Sequence, residues 1–556
     1  MGCIHLQRPG EGTALRPTAE RWDDMTMSST NAATLNGAAD APGTALLHHW
    51  NLVVGAGRAN EGLRADWQRQ LREVVDTQGF RYVRFHGLYH DDMFVYREEA
   101  GRVEPSFAYV DSLFDALLEA GIRPFVEFGF MPRELATATE TAFWWGAHGC
   151  PPTDFDKWEQ LVAGTVAHWR DRYGLDEIRE WYFEVWNEPN LRPFFRGTKS
   201  QYLELYRRTA RAVKGVDPSL RVGGPATSNF VPDSRFDGET EDTAAHADTV
   251  GAPDLDALAW EPVWVAEFLE TAGREGLPVD FVSTHPYPTD WALDEHGQGA
   301  RLTRGVDATA TDLRVLRDLV DASAFPEAEI HLTEWSSSSS SRDHTHDYPQ
   351  AATFVVKANL DSIGLVDSLS YWTFTDIFEE AGGGQLPFHG GFGMLNQQGI
   401  PKPTYHAYRF LSTLGDELLV HTDAGVLTRD SATGALVAVV YNYPAEVARS
   451  VPASFDTRDL ADAIQATGDS RDVQLDVAGV AAGTRFRVET LSPSSGNAIA
   501  AWDALGAPLN PTREQTAAIA ATARALDVTE LVAGEHGLAA TITLPAWGVA
   551  LVTQAD

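Results

Sequence analysis

Two stretches end an aromatic, apolar run on a glutamate. Trp181-Tyr-Phe-Glu-Val-Trp-Asn-Glu-Pro-Asn190 brings Asn187, Glu188 and Pro189 just past its run, and Ile330-His-Leu-Thr-Glu-Trp335 does the same for Glu334. If each run is a barrel strand, its end opens into the barrel mouth, where side chains meet a ligand. Two carboxylates across such a mouth suit the cleavage of a glycosidic acetal. One, held protonated, gives the leaving oxygen a proton, and the other, ionised, meets the oxocarbenium-like carbon. Their charges are coupled: an ionised Glu334 keeps Glu188 protonated by like-charge repulsion, and esterification of Glu334 frees Glu188 to act as base toward water. Asn187 is placed to hydrogen-bond a sugar 2-hydroxyl. A lone strand-end glutamate is usually a solvated residue or a neighbour of a helix start, and Glu127, Glu184 and Glu261 read that way.

The elements that must position this pair follow one theme from about residue 48 to 415, a short apolar run followed by a helix-like stretch. Eight strands are expected: His49 to Val54, Tyr82 to His86, Arg123 to Phe128, Trp181 to Trp186, Arg221 to Pro225, Phe281 to His285, Glu329 to Thr333 and Ser368 to Phe374. Between two of them Phe107, Val110, Leu113, Phe114, Leu117 and Leu118 recur at helical spacing and stop at Gly121. Alternating β and α with eight repeats favours an α/β fold, a (β/α)₈ TIM barrel over residues 46–415. Glu188 ends the fourth strand and Glu334 the seventh, which sets them across the ring. Past Leu414 the texture changes to Leu436 to Tyr441, Thr484 to Val488 and Ala540 to Leu544, broken by Gly, Pro, Asp and Ser. That predicts an antiparallel β-sandwich over 416–556, with one helix at Arg513 to Leu526. Residues 1–45 read as a loose leader that can add a strand to the sandwich, since the ends of a domain often lie together.

Composition narrows the partners. The 556 residues are 44% hydrophobic and 22% charged, with a formal net charge of −36. That is enough apolar material for a core, and a charge that repels phosphate backbones and anionic lipid, so neither nucleic acid nor membrane is an expected partner. Two cysteines, Cys3 and Cys150, cannot supply a disulfide framework or a cysteine zinc site. The opening residues lack the apolar stretch of a signal peptide, which predicts a cytoplasmic protein. Gly55-Ala-Gly57 with Gly62 has the wrong spacing for a dinucleotide fingerprint and reads as a turn. Asp343, His344, His346 and Asp347 form no recognised metal spacing and read as loop, so no metal and no cofactor are expected.

Trp186-Asn-Glu-Pro189 on the fourth strand and Thr-Glu-Trp on the seventh resemble the retaining glycosidases built on (β/α)₈ barrels. Arg84-Phe-His-Gly87, Asp91-Asp-Met-Phe-Val-Tyr96, Thr284-His-Pro-Tyr287, Tyr371 to Glu380, Phe388-His-Gly-Gly-Phe-Gly393 and Gly399-Ile-Pro-Lys-Pro-Thr-Tyr405 narrow the resemblance to glycoside hydrolase family 39, and within it to β-xylosidases. The resemblance implies a retaining exo-hydrolase that releases terminal xylose from short β-1,4-xylo-oligosaccharides. Glu188 matches the acid/base and Glu334 the nucleophile, while His86, Asn187, His285, Tyr287, Glu379 and Glu380 match positions that contact the terminal sugar. Flat rings suit the apolar faces of pyranosides, and Trp335 and Trp372, near strand ends, are expected to supply them. A run of six serines, Ser336 to Ser341, departs from the pattern after Glu334 and bears on leaving-group contacts. Competing readings are an α-L-iduronidase-like enzyme, a broad β-glycosidase or α-L-arabinosidase, and a barrel that binds sugar without cleaving it. A uronate calls for Arg or Lys where Glu379 and Glu380 stand, and a binding barrel predicts a missing carboxylate. The resemblance is compatible with a homo-oligomer.

Overall fold

Eight parallel strands, each beside the next in chain order, close into a barrel: Val53–Arg58, Tyr82–His86, Arg123–Phe128, Tyr182–Val185, Arg221–Thr227, Phe281–Thr284, Glu329–Trp335 and Ser368–Tyr371. The computed structural model describes residues 33–230, 259–293, 299–451 and 457–555. The strands are buried along nearly their whole length, because helices cover the outside while inward side chains fill the lumen. The helices start and stop where local chemistry dictates. Asp154 accepts the amide N–H groups of Asp156 and Lys157 at the head of Phe155–Tyr173. Thr198 and Gln201 form a capping box on Lys199–Val216. The helix Ala108–Glu119 ends just before Gly121, which takes φ 78°.

The first strand departs from expectation. It begins at Val53, and His49–Asn51 is a short 3-10 turn with His49 and Trp50 buried. Gly55 and Gly57 belong to the strand and not to a turn. A Cβ on Gly55 would lie 2.3 Å from the Trp372 ring, and one on Gly57 2.2 Å from the Glu61 carboxylate. Glycine is there to let those side chains lie against the backbone.

The C-terminal region forms two further sheets. Seven antiparallel strands run in the spatial order Thr44–Ala45, Glu417–Thr422, Gly425–Arg429, Leu436–Tyr441, Val549–Gln554, Arg485–Leu491 and Asp527–Val532. Three more, Ala33–Ala38, Arg471–Ala478 and Leu538–Leu544, form the second sheet. Leu35, Leu427, Val440, Leu475, Phe486, Ile542 and Val552 make a shared apolar layer. The strand Arg471–Ala478 shows the period-two burial of a sheet with one wet face. The N-terminal strand pairs with it in parallel, an exception to the antiparallel pattern that a returning chain end permits. Among the described residues three helices interrupt these sheets where one was expected, Arg458–Gln465, Ala498–Ala504 and Arg513–Arg524. The two unforeseen ones are short and lean on tertiary contacts: Trp502 packs 5.5 Å from Phe388, a residue of the loop after the eighth barrel strand. Residues 1–32 of the expected leader, Cys3 among them, lie outside the described residues. Among the described residues no helix is long and apolar enough to cross a membrane.

Candidate active site

Strand alternation puts every second residue into the lumen. On the second strand Tyr82, Arg84 and His86 share a face; on the third, Phe125 and Glu127; on the fourth, Tyr182 and Glu184. Arg84 is the hub of the mouth. Its Nε donates to Glu184 Oε2 at 2.6 Å, Nη1 to Glu334 Oε1 at 2.6 Å, and Nη2 to Asn187 Oδ1 at 2.9 Å, with Glu127 Oε2 3.0 Å from Nη2. Burial opposes its charge, but Glu184, Glu127 and Glu334 outweigh burial and push its pKa up. Glu127 and Glu184 are therefore not solvated strand-end residues; both are fully buried partners of this arginine. Glu261 is exposed, as read from the sequence.

Glu188 and Glu334 meet across the mouth, 7% and 6% exposed. One donor atom from each, together with one from His285, all lie within 4.8 Å of one another. The backbone turns sharply to aim Glu188. Trp186 and Glu188 take positive φ of 74° and 44°, and the Glu188 amide donates to Ala226 O at 2.7 Å. Such conformations in non-glycine residues persist only where surrounding structure enforces them. Glu334 also breaks alternation, because pairing with the eighth strand shifts register between Leu332 and Trp335.

Electrostatics separate the two carboxyls. Burial and then the charge of Glu334 raise the Glu188 pKa well above the ordinary carboxylate range. Glu334 sits among donors: Arg84 on Oε1, and the Tyr287 hydroxyl on Oε2 at 3.3 Å. The arginine engages a single oxygen, so it orients the carboxylate without forming a two-pronged clamp. His86 lies 2.6 Å from Glu127 and 3.4 Å from both Glu334 and Glu380. Burial would neutralise it, but Glu127 leads the carboxylates that push its pKa up to about 10. His285 goes the other way: burial, Arg84 and His86 push it well below its ordinary value, leaving a neutral ring. The same Glu188, His285 and Glu334 offer three donors to a cation, yet Arg84 and the imidazolium of His86 already bring positive charge to Glu334.

The rim gathers the remaining expected residues, with two exceptions. Glu380 is within reach of His86, and Trp372 packs 4.9 Å from the His86 ring with Arg84 over its face. Glu379 points instead to a second ion network. It accepts from Arg58 at 2.8 Å and Arg64 at 3.4 Å, and its amide donates to Glu61, which burial pushes up to about 8. Trp335 does not join the mouth. Following an inward Glu334, it faces the surrounding helices, donating to Thr309 and stacking 6.0 Å from Phe354. Phe143, on the loop after the third strand, stacks on His86 at 5.7 Å, while its neighbour Trp144 stays 68% exposed and its amide donates to Glu380 O.

The serine run is ordered. Ser336, Ser337, Ser338 and Ser340 are buried, and Ser336 and Ser338 pack on His346 Nε2, whose Nδ1 donates to Gly390 O. Asp343 caps the turn at Thr345, and Asp347 accepts from the buried Lys402 and from the Gly390 amide. These groups tie the loops after the seventh and eighth strands together. Cys150 is a buried free thiol.

The family model described as "Glycosyl hydrolases family 39" matches residues 37–530. The chain belongs to that family. A β-xylosidase of Caldicellulosiruptor saccharolyticus is 42% identical over 371 residues, 66% of this chain and 69% of the relative. One of Geobacillus stearothermophilus is 35% identical over 475 residues, 84% of each chain. The crystal structure of a monomeric β-xylosidase from Caulobacter crescentus superposes with a TM-score of 0.79 at 31% identity, covering 94% of this chain and all of that one.

The family 39 barrel thus carries its charged hub on Arg84, Glu127 and Glu184, of which the sequence reading took the two glutamates as solvated residues and Arg84 only as part of a family motif. For Arg84 the signal was parity, since it shares the lumen face of its strand with His86; Glu127 and Glu184 share theirs only with the aromatic residues Phe125 and Tyr182. Glu61 and Lys402 gave no such signal, since Glu379, Asp347 and Asp376 reach them from loops distant in the chain.

Proposed function

We propose that this family 39 enzyme is a retaining, exo-acting β-D-xylosidase that frees xylose from the non-reducing end of short β-1,4-xylo-oligosaccharides. The observation that carries the reading is the pairing of Glu188 and Glu334. A gap of about 5 to 5.5 Å suits a nucleophile and an acid/base, whereas inversion needs about 6.5 to 9.5 Å to seat a water, and one oxygen of Glu188 lies within 4.8 Å of one of Glu334, which supports the shorter class. In the first displacement Glu334 attacks the anomeric carbon while Glu188 protonates the departing oxygen. In the second, Glu188 takes a proton from water as the sugar ester opens. Arg84 and Tyr287 hold Glu334 in line, and Asn187, fixed by Arg84, presents its amide to the 2-hydroxyl. Glu380 accepts ring hydroxyls of a neutral sugar beside the His86 cation, with Trp372 as the flat wall.

The α-L-iduronidase reading is disfavoured. Human α-L-iduronidase is 29% identical over 179 residues, only 30% of this chain, and Arg58 and Arg64 beside this rim are already engaged by Asp92, Asp66 and Glu379. Arabinoside and glucoside cleavage are separated from xyloside cleavage by a screen of chromogenic glycosides. The division at residues 415 and 416, a cytoplasmic location and self-association are part of the same proposal; limited proteolysis, fractionation and sedimentation test them.

The decisive experiment is hydrolysis of p-nitrophenyl β-D-xyloside. It is expected to vanish in Glu334→Ala and to return in part with azide, yielding α-xylosyl azide. Undiminished turnover in that variant removes Glu334 from the role.

A further inference from the structure

Four buried groups form an unbroken line behind the proposed acid. Glu188 Oε1 lies 3.1 Å from His285 Nδ1, His285 Nε2 lies 2.9 Å from Thr333 Oγ1, and Thr333 Oγ1 donates to Glu184 Oε1 at 2.7 Å. The far end is anchored by Arg84 Nε on Glu184 Oε2 at 2.6 Å. Neither Thr333 nor Glu184 faces the sugar position assigned above, and both are fully buried.

We propose that Thr333 and Glu184 fix the direction of this hydrogen-bond line so that the proton resides on Glu188 in the resting enzyme, which makes them positioning residues for the acid. The proposal rests on Glu188 being the acid/base. A neutral imidazole owns one N–H and a hydroxyl one O–H, so the two protons of the line must point the same way, both toward Glu184 or both toward Glu188. The end that is ionised is the end that receives them. Glu184 has an arginine N–H on its second oxygen, whereas Glu188 meets a neutral ring and faces the negative charge of Glu334. The line therefore points to Glu184: Thr333 donates to Glu184, His285 Nε2–H donates to Thr333, and His285 Nδ1 is left bare. A bare Nδ1 can only accept, and the group opposite it is Glu188, which must then be a carboxylic acid that donates. Hydrogen bonding to the neutral form of a carboxyl favours that form. Reversal would carry the Glu188 proton to Nδ1, the Nε2 proton to Thr333 and the Thr333 proton to Glu184. It would disarm the acid, and the Arg84 contact on Glu184 opposes it.

Neutron diffraction of the wild-type protein reads the direction without turnover. Deuterium on His285 Nε2 and on Glu188 Oε1 is expected, and deuterium on Nδ1 overturns the proposal whatever the substrate proves to be. Kinetics reads the consequence. In Thr333→Val the ring loses its Nε2 acceptor and can place its N–H on Nδ1, which favours ionised Glu188. The basic limb of kcat/KM for methyl β-D-xyloside should then move down by about one pH unit, ~10-fold at the alkaline end. For 2,4-dinitrophenyl β-D-xyloside, whose leaving group needs no proton, the limb should stay in place. The ratio of the two substrates on one sample does not depend on how much protein is folded. Thr333→Ser keeps the hydroxyl and should restore the wild-type profile. A Thr333→Val limb at the wild-type position, or an equal loss on both substrates at every pH, would show Thr333 to be structural only.

Discussion

The floor and the mouth of the barrel are made by the same strands, and both are buried, yet they are filled in opposite ways. At the floor Val53, Tyr82, Phe125, Tyr182 and Phe281 form one apolar cluster, with Phe125 stacked on Tyr182 at 4.8 Å and edge-on to Phe281 at 5.3 Å. Two residues further along, the same strand faces carry Arg84, Glu127 and Glu184. Burying a large apolar side chain stabilises by about 1.5–3 kcal/mol, whereas each buried ion costs several kcal/mol that good pairing only offsets. The floor holds the barrel closed. The mouth adds little net stability; there burial and the charge of Glu334 raise the Glu188 pKa, while Arg84 and Tyr287 hold Glu334 by hydrogen bonds. A TIM barrel can carry such a mouth because a separate layer beneath it supplies the packing.

Substitutions in the two layers should part activity from stability, and they rank by expected effect. Glu188→Ala should cut kcat/KM on alkyl xylosides by about 10²–10⁴-fold and leave the urea midpoint at or above wild type. Unchanged rates on such poor leaving groups would end the assignment of Glu188 as the acid. Arg84→Met leaves Glu127, Glu184 and Glu334 without their shared cation, and a loss of about 3–5 kcal/mol is expected in urea unfolding, with turnover lost as well. Phe125→Ala, at the floor, should cost a similar ~3–5 kcal/mol while kcat per folded molecule holds. A large fall in kcat there would break the separation between layers.

The smallest effect is a slope with pH. The folded pKa of His86 is raised to about 10 from an ordinary value of 6.5, so its contribution to stability is fully present below 6.5 and is lost as pH rises toward 10. His86→Gln should flatten that part of the stability profile measured by denaturant titration. An unaltered slope would mean that His86 is neutral in the folded protein.

The strands were legible because their signal is local. Tyr82–His86 and Arg123–Phe128 have the bounds expected from β-branched and aromatic runs. Glu188 and Glu334 were legible because the end of a barrel strand is a position that spacing can identify. Trp335 was misread as a sugar platform, since a register shift beside Glu334 decides which neighbour turns outward. Glu379 and Glu380 could not be told apart, because only the fold brings Arg58 and Arg64 to one and His86 to the other. The two short helices at Arg458–Gln465 and Ala498–Ala504 escaped notice because helices of that length are marginal alone and form on packing.

The order of strands and helices, the acidic surface and the two glutamates at strand ends follow from the amino-acid sequence, since periodicity and side-chain type act over a few neighbouring residues. Which inward charges lose water, which cation three carboxylates share, and which nitrogen of His285 keeps its proton were decided by the closed barrel alone. Those properties depend on distances of about 3 Å between residues of different strands and loops, such as Arg84 and Glu334 or His285 and Thr333, and on a desolvation that no short stretch of chain can impose on itself.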